Sequence, residues 1–172
     1  KTAIAPLLAV CILLGGLYLQ QIQNNQQGSF WIFHNTKETL IIETAGKSMK
    51  VYQKGDLQNN SVHLIQNFRV GERIQESKTL PLQNVFLKPN LLIVDNDGVY
   101  IPIQKNPNVL LIQSPKIHLG ALIDSLKPIQ IIADGSNYPS FINLWKETCQ
   151  QKNVRFYETY SKGAIQLYDS NK

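Results

Sequence analysis

Val109–Asn137 reads VLLIQSPKIHLGALIDSLKPIQIIADGSN, and this stretch decides the fold. Val109–Gln113 and Ile129–Ala133 are short apolar runs without alternation, the pattern of strands buried on both faces. Between them Leu119, Leu122, Ile123 and Leu126 recur at helical spacing, so Ile117–Leu126 is expected as a helix that Lys127-Pro128 ends. Strand, helix and strand within about thirty residues make a crossover unit of a parallel sheet. Asp134-Gly135-Ser136-Asn137 then turns the chain toward Pro139, which suits the first turn of another helix. On that helix Phe141, Trp145, Thr148 and Cys149 share one face up to Lys152. Asn153–Tyr157 and Gly163–Tyr168 close the chain as strands.

Upstream the pattern is different. Ser29–Asn35 (SFWIFHN) and Glu38–Thr44 (ETLIIET) flank Thr36-Lys37 and read as a hairpin, with Ala45-Gly46 as a second turn. Lys47–Gln53 alternates apolar and polar residues as a half-buried strand does. Asp56–Phe68 carries Leu57, Ser61, Leu64, Ile65 and Phe68 on one helical stripe, with Asp56 as cap. Gly71–Pro81 is polar and reads as a surface loop. Asn84–Leu87 and Asn90–Asp95 are strand candidates. Asn96-Asp97-Gly98 is a tight-turn signal that predicts a return strand over Val99–Ile103. An antiparallel first half and an alternating second half give a sheet-rich α/β domain with helices packed on the sheets.

The N-terminal part stands outside this domain. Thr2–Leu19 runs without a charge, and about 27 Å of helix would match the hydrocarbon thickness of a bilayer. The expectation is a transmembrane helix over residues 2–19, followed by an amide-rich linker over residues 20–29 and a domain over residues 30–170. A signal peptide and a buried core helix are the rival readings. Lys1 is the sole charge near the apolar run, and the positive-inside rule would leave the domain extracytoplasmic on a cell (inner) membrane. A chain that opens on Lys1 rather than Met is expected to be a piece of a longer protein or a processed product.

Composition limits the chemistry. The 172 residues carry 43% hydrophobic and 17% charged side chains, enough apolar content for a packed core. A net charge of +5 permits contact with nucleic acid or anionic lipid without requiring it. His34, His63 and His118 are far apart in sequence, and none has the HxH or HxxxH spacing of a metal site. Cys11 lies in the apolar run and Cys149 on a helical face beside Trp145, so neither reads as a nucleophile or a disulfide partner. Asp134 follows a buried strand, where α/β enzymes place active groups, but its Gly-Ser context reads first as a turn and cap. No GxSxG, GxxxxGK[ST] or GxGxxG motif occurs. Lys146, Lys152, Arg155 and Lys162, interleaved with Tyr157 and Tyr160, are the candidate nucleic-acid-binding residues. Glu147 and Glu158 dilute that charge, and a plain solvated edge is the alternative.

Val109–Ile165 also resembles a known family. VLLIQSP, Ser125-Leu126-Lys127-Pro128, IQIIADGSN, a Pro-led helix, NVRFYETY and Lys162-Gly163-Ala164-Ile165 follow one another as in the metallo-β-lactamase-like domain that ends ComEC-family proteins. These are membrane channel proteins for DNA uptake in bacterial natural competence. DGSNY before a helix holding a Trp and a Cys is most similar to the Bacteroidetes-type members, and Trp31–Gly46 resembles the strands that open the domain. The resemblance implies an αββα sandwich, trimmed in so short a chain. It implies a channel upstream of Lys1 as partner and incoming DNA as a contact.

The departures bear on activity. Nothing here supplies the family's HxHxDH motif. Gln113-Ser114-Pro115-Lys116 stands where paired histidines are expected, and Ser136-Asn137-Tyr138-Pro139 stands where GHP is expected. A dinuclear metal centre needs several His and carboxylate ligands. The expectation is therefore a degenerate, non-catalytic accessory domain with no metal and no cofactor. Two other functions remain open from the residues. One is a metal-dependent nuclease with a site rebuilt from His34, His63, His118 and scattered carboxylates. The other is a membrane-anchored interaction protein unrelated to DNA.

Overall fold

The computed structural model describes residues 10–17, 28–54, 59–101 and 105–167. Two five-stranded sheets lie face to face and carry helices on their outer sides. The first sheet has the order β10-β1-β2-β3-β4, built from β1 (Ser29–Phe33), β2 (Leu40–Ala45), β3 (Ser48–Gln53), β4 (Glu76–Pro81) and β10 (Ile165–Leu167). The second has the order β5-β6-β7-β8-β9, from β5 (Val85–Phe86), β6 (Leu91–Val94), β7 (Asn108–Leu111), β8 (Gln130–Ala133) and β9 (Arg155–Glu158). β6 to β9 run parallel, as the crossover reading requires. The helices are α1 (Asn59–Gly71), α2 (Leu119–Leu126), α3 (Pro139–Gln151) and the short α4 (Thr159–Lys162).

Alternation along the strands explains the layers. Successive side chains of a strand point to opposite faces. Leu91, Ile93, Leu110, Ile112 and Ile132 face the first sheet, where they meet Phe30, Ile32, Ile41, Tyr52, Ile165 and Leu167. Leu92, Val94, Val109, Leu111, Ile131 and Ala133 face outward onto α2 and α3. Both faces of β6, β7 and β8 are thus covered, and their sequences are apolar apart from Asn108 and Gln130 at the first positions of β7 and β8, which bond to each other at 2.9 Å. Trp145 and Cys149 are buried under α3 as their spacing predicts, together with Ile142. On the other side Leu64, Ile65 and Phe68 of α1 cover Leu40, Ile42, Met49 and Val51. Phe68 meets Phe33 edge-on at 5.3 Å between ring centroids. All four layers of an αββα sandwich are present.

Several local expectations are corrected. Gly71–Pro81 is not all loop, because Glu76–Pro81 forms β4 parallel to β3. Its polar sequence conceals it, since an exposed edge strand is held by backbone hydrogen bonds and needs no apolar face. Val99 to Ile101 form no strand, and residues 102–104 lie outside the described residues. The turn itself closes, with Gly98 N donating to Asp95 O at 2.9 Å. A returning strand would have no place beside β6, because β5 and β7 already flank it. The helix expected from Asp56 to Phe68 is described from Asn59 to Gly71, and Asp56 and Leu57 lie outside the described residues.

Of the expected membrane segment 2–19, residues 2–9 and 18–19 lie outside the described residues, as does residues 20–27 of the linker. Residues 10–17 are helical and exposed along their whole length. Among the described residues no helix is long and apolar enough to cross a membrane.

Candidate functional site

The C-terminal ends of parallel strands are where open α/β sheets place their ligands. Here the ends of β7, β8 and β9 meet the β1–β2 connection of the first sheet. Asp134, the residue after β8, sits at this junction and is 1% exposed. Its Oδ1 accepts hydrogen bonds from Ser136 N (3.1 Å), Ser136 Oγ (2.5 Å) and Asn137 Nδ2 (3.1 Å). Its Oδ2 accepts from Thr39 Oγ1 at 2.5 Å. Burial pushes the carboxyl up from 3.8 to about 6, and the Ser136 and Thr39 hydrogen bonds oppose that rise. The carboxyl is thus enclosed by the neighbouring turn on one oxygen and by Thr39 of the first sheet on the other.

The surrounding polar groups are engaged with one another. Asn137 Nδ2 also donates to Leu111 O at 2.7 Å, and Asn137 Oδ1 accepts from Ser114 N at 2.7 Å. Gln113 N donates to Ser136 Oγ at 2.8 Å, and Tyr138 N donates to Ser114 Oγ at 2.8 Å. Gln113, Ser114, Ser136 and Asn137 therefore lock the β7 end to the β8–α3 turn. Across the sandwich, Lys37 N donates to Gly135 O at 3.2 Å. The approach is so close that a Cβ at Gly135 would lie 2.3 Å from Asn35 O and 2.8 Å from the His34 ring. A second knot lies beside it, where Asn35 Nδ2 donates to Ser61 Oγ at 2.6 Å and to Glu38 Oε2 at 3.1 Å. The Ser61 hydroxyl donates to the same Glu38 carboxylate.

The histidines are dispersed. His34 Nδ1 lies 3.1 Å from Thr159 Oγ1, and its ring meets Tyr160 edge-on. His63 is exposed on α1. His118 is the N-cap of α2, where its Nδ1 accepts from Ala121 N at 3.1 Å. Among the described residues no group of three or more His, Cys, Asp or Glu side chains gathers as a metal-binding set.

The candidate nucleic-acid-binding residues lie on α3, β9 and the turns around them. Lys146 is exposed on α3, with its Nζ 3.7 Å from Glu158 Oε1. Lys152 follows the helix and is held by Asp124 at 2.7 Å. Arg155 is exposed at the start of β9 and has no ion pair among the described residues. Lys162 closes α4, donates to Phe156 O at 3.3 Å and lies 5.2 Å over the Tyr157 ring. The exposed Tyr160 lies on the same short helix. Lys146 and Lys162 both lie beside the far end of β9, whereas Lys152 is tied back toward α2.

Residue reasoning found Asp134 and its turn. It missed Thr39, Ser114 and Asn137 as partners, because the contacts span 95 residues for Thr39 and 26 for Asn137 with Leu111. The available signal was the density of small hydrogen-bonding side chains after two buried strands, in Gln113-Ser114 and Asp134-Asn137.

The family model for the ComEC C-terminal domain matches residues 30–168. No curated protein and no solved structure matches the chain. The match covers most of the chain and every strand but the first residue of β1, so the chain belongs to the ComEC C-terminal domain family. Membership sets it in competence DNA uptake, in the context of a membrane channel.

Proposed function

We propose that this chain is a non-catalytic accessory domain of the DNA-uptake channel, tethered by residues 2–19 and held outside the cytoplasm, where it contacts incoming DNA. The observation that carries the non-catalytic reading is the junction at Asp134. Its carboxylate is enclosed by donors from Thr39, Ser136 and Asn137, and the neighbouring loop ends bond to each other. A hydrolytic metal site needs open ligands and room for water. This cluster supports a different role, as a clamp between the two sheets.

Contact with DNA would fall to Lys146, Lys152, Arg155 and Lys162. Two of these cations already face carboxylates, Glu158 and Asp124, so phosphate would have to compete for them. Surface pairs of this kind are worth about 0–1 kcal/mol, and a phosphate row can displace them. The aromatic faces of Tyr157 and Tyr160 beside Lys162 would suit stacking of single-stranded bases.

The test is binding of a single-stranded oligonucleotide to the 172-residue chain across a salt series. The affinity is expected to fall linearly with log salt, and each phosphate contact removed by alanine substitution should reduce the slope by about 0.7. Absence of binding at low salt, or an unchanged slope in the variant lacking all four cations, would overturn the DNA-contact reading.

A further inference from the structure

We propose that two copies of this chain pair edge to edge through β4, antiparallel about a two-fold axis at Ser77. β4 lies at the end of its sheet and pairs with β3 alone. An edge strand presents unpaired N–H and C=O groups, a template for another strand. The other edges offer less. β5 has only two residues, β10 only three, and the Phe156 carbonyl of β9 already accepts from Lys162. β4 has six residues, of which all but the half-buried Leu80 are exposed.

The hydrogen-bonding pattern narrows the possible registers. Glu76 N donates to Lys47 O and Leu82 N to Gln53 O, so the even-numbered residues turn their backbone groups toward β3. Ser77 and Thr79 therefore turn theirs outward. A two-fold axis at Lys78 would oppose two lysines. An axis at Thr79 would set Ser77 opposite Pro81, which has no N–H to donate. An axis at Ser77 opposes no lysines and keeps Pro81 out of the pairing; its one cost is at Gln75, opposite Thr79, whose N–H already donates to Lys47 O at 2.7 Å. Ser77 exchanges both backbone bonds with its counterpart, Pro81 falls beyond the pairing, and Glu76 stands opposite Lys78 of the second copy, twice by symmetry. These Glu–Lys positions are the non-hydrogen-bonded ones, where side chains lie closest.

The charges favour this occupant. Among the described residues neither Glu76 nor Lys78 forms an ion pair. Lys78 stands in register beside Lys50, and the Lys50 ammonium is taken by Glu43 at 3.1 Å. A carboxylate from across the axis would offset that repulsion. The edge is thus complementary to itself.

The test is sedimentation equilibrium of the full chain with three variants. Wild type is expected to form dimers that weaken as salt rises. Lys78→Glu or Glu76→Lys alone should weaken dimerisation about tenfold, because two attractive pairs become repulsive. The double variant Glu76→Lys/Lys78→Glu should restore it. A monomeric wild type, single variants that dimerise unchanged, or a folded double variant that stays weak would each overturn the proposal. Ser77→Cys in a Cys11→Ser background, which removes the exposed thiol, supplies an independent readout. Residues directly opposite in a hydrogen-bonded pair lie about 5.5 Å apart at Cα, within disulfide reach, so oxidation should cross-link the dimer.

Discussion

Replacing Asp134 by Asn should make the protein relatively more stable at high pH. Asp134 is buried, and its carboxyl is pushed from 3.8 to about 6, first by loss of solvation and against the pull of its Ser136 and Thr39 hydrogen bonds. A carboxyl whose folded value is raised favours the folded state while protonated. Its contribution is full below 3.8 and is lost as pH rises through about 6. That rise corresponds to about 3 kcal/mol. An amide keeps the shape and two polar ends but cannot ionise, so Asp134→Asn should not suffer this loss. The assay is urea unfolding of both proteins at pH 4 and pH 8, followed by circular dichroism. Other titrating groups cancel in the difference between the two proteins. Because part of the contribution is already gone at pH 4, the variant should gain about 2.4 kcal/mol on wild type between the two pH values. A difference that does not change with pH, or a wild type that gains on the variant, would show that the hydrogen-bond donors outweigh the cost of burying the charge. Asp134→Ala behaves differently, because it removes the acceptor of the Ser136 and Thr39 hydroxyls at any pH. Its expected loss is about 1–3 kcal/mol for each stranded group.

Gly135→Ala should destabilise the fold by at least about 1–3 kcal/mol, read by the same unfolding assay, because the new Cβ meets the Asn35 carbonyl at 2.3 Å and backbone cannot step aside cheaply. A neutral result would show that the two sheets do not approach at this point. The two thiols should label separately. Cys11 is exposed, while Cys149 is fully buried and its thiol is pushed up to about 11 by burial. At pH 8 a thiol reagent should take Cys11 rapidly and Cys149 only as the chain unfolds. Fast labelling of both would contradict the packing under α3.

The strands β6, β7 and β8 were legible because burial on both faces leaves continuous apolar runs in the sequence. The helices α2 and α3 were legible because one buried stripe recurs at helical spacing. β4 was hidden, since Glu76, Ser77, Lys78 and Thr79 are solvent-exposed and only the backbone holds them. The strand expected after Gly98 failed for a related reason. A turn signal is local, whereas the space beside β6 is filled by β7, whose residues come later in the chain. The site shows the same limit. Asp134, Gly135 and Ser136 read correctly as a turn, with Ser136 N on Asp134 Oδ1. The bond from Thr39 needs the two sheets stacked, which no local pattern encodes. Lys146 and Lys152 were grouped by proximity in sequence, yet carboxylates on different elements hold them.

Metal content tests the central claim most directly. The 172-residue chain would be equilibrated with zinc and manganese, freed of loose ions by gel filtration, and measured by elemental mass spectrometry. A domain whose Asp134 carboxyl is enclosed by its own donors from Thr39, Ser136 and Asn137 should retain far less than one ion per chain. One or two ions retained per chain, lost on substitution of His34 or Asp134, would contradict the account and make the chain a metal-dependent enzyme candidate.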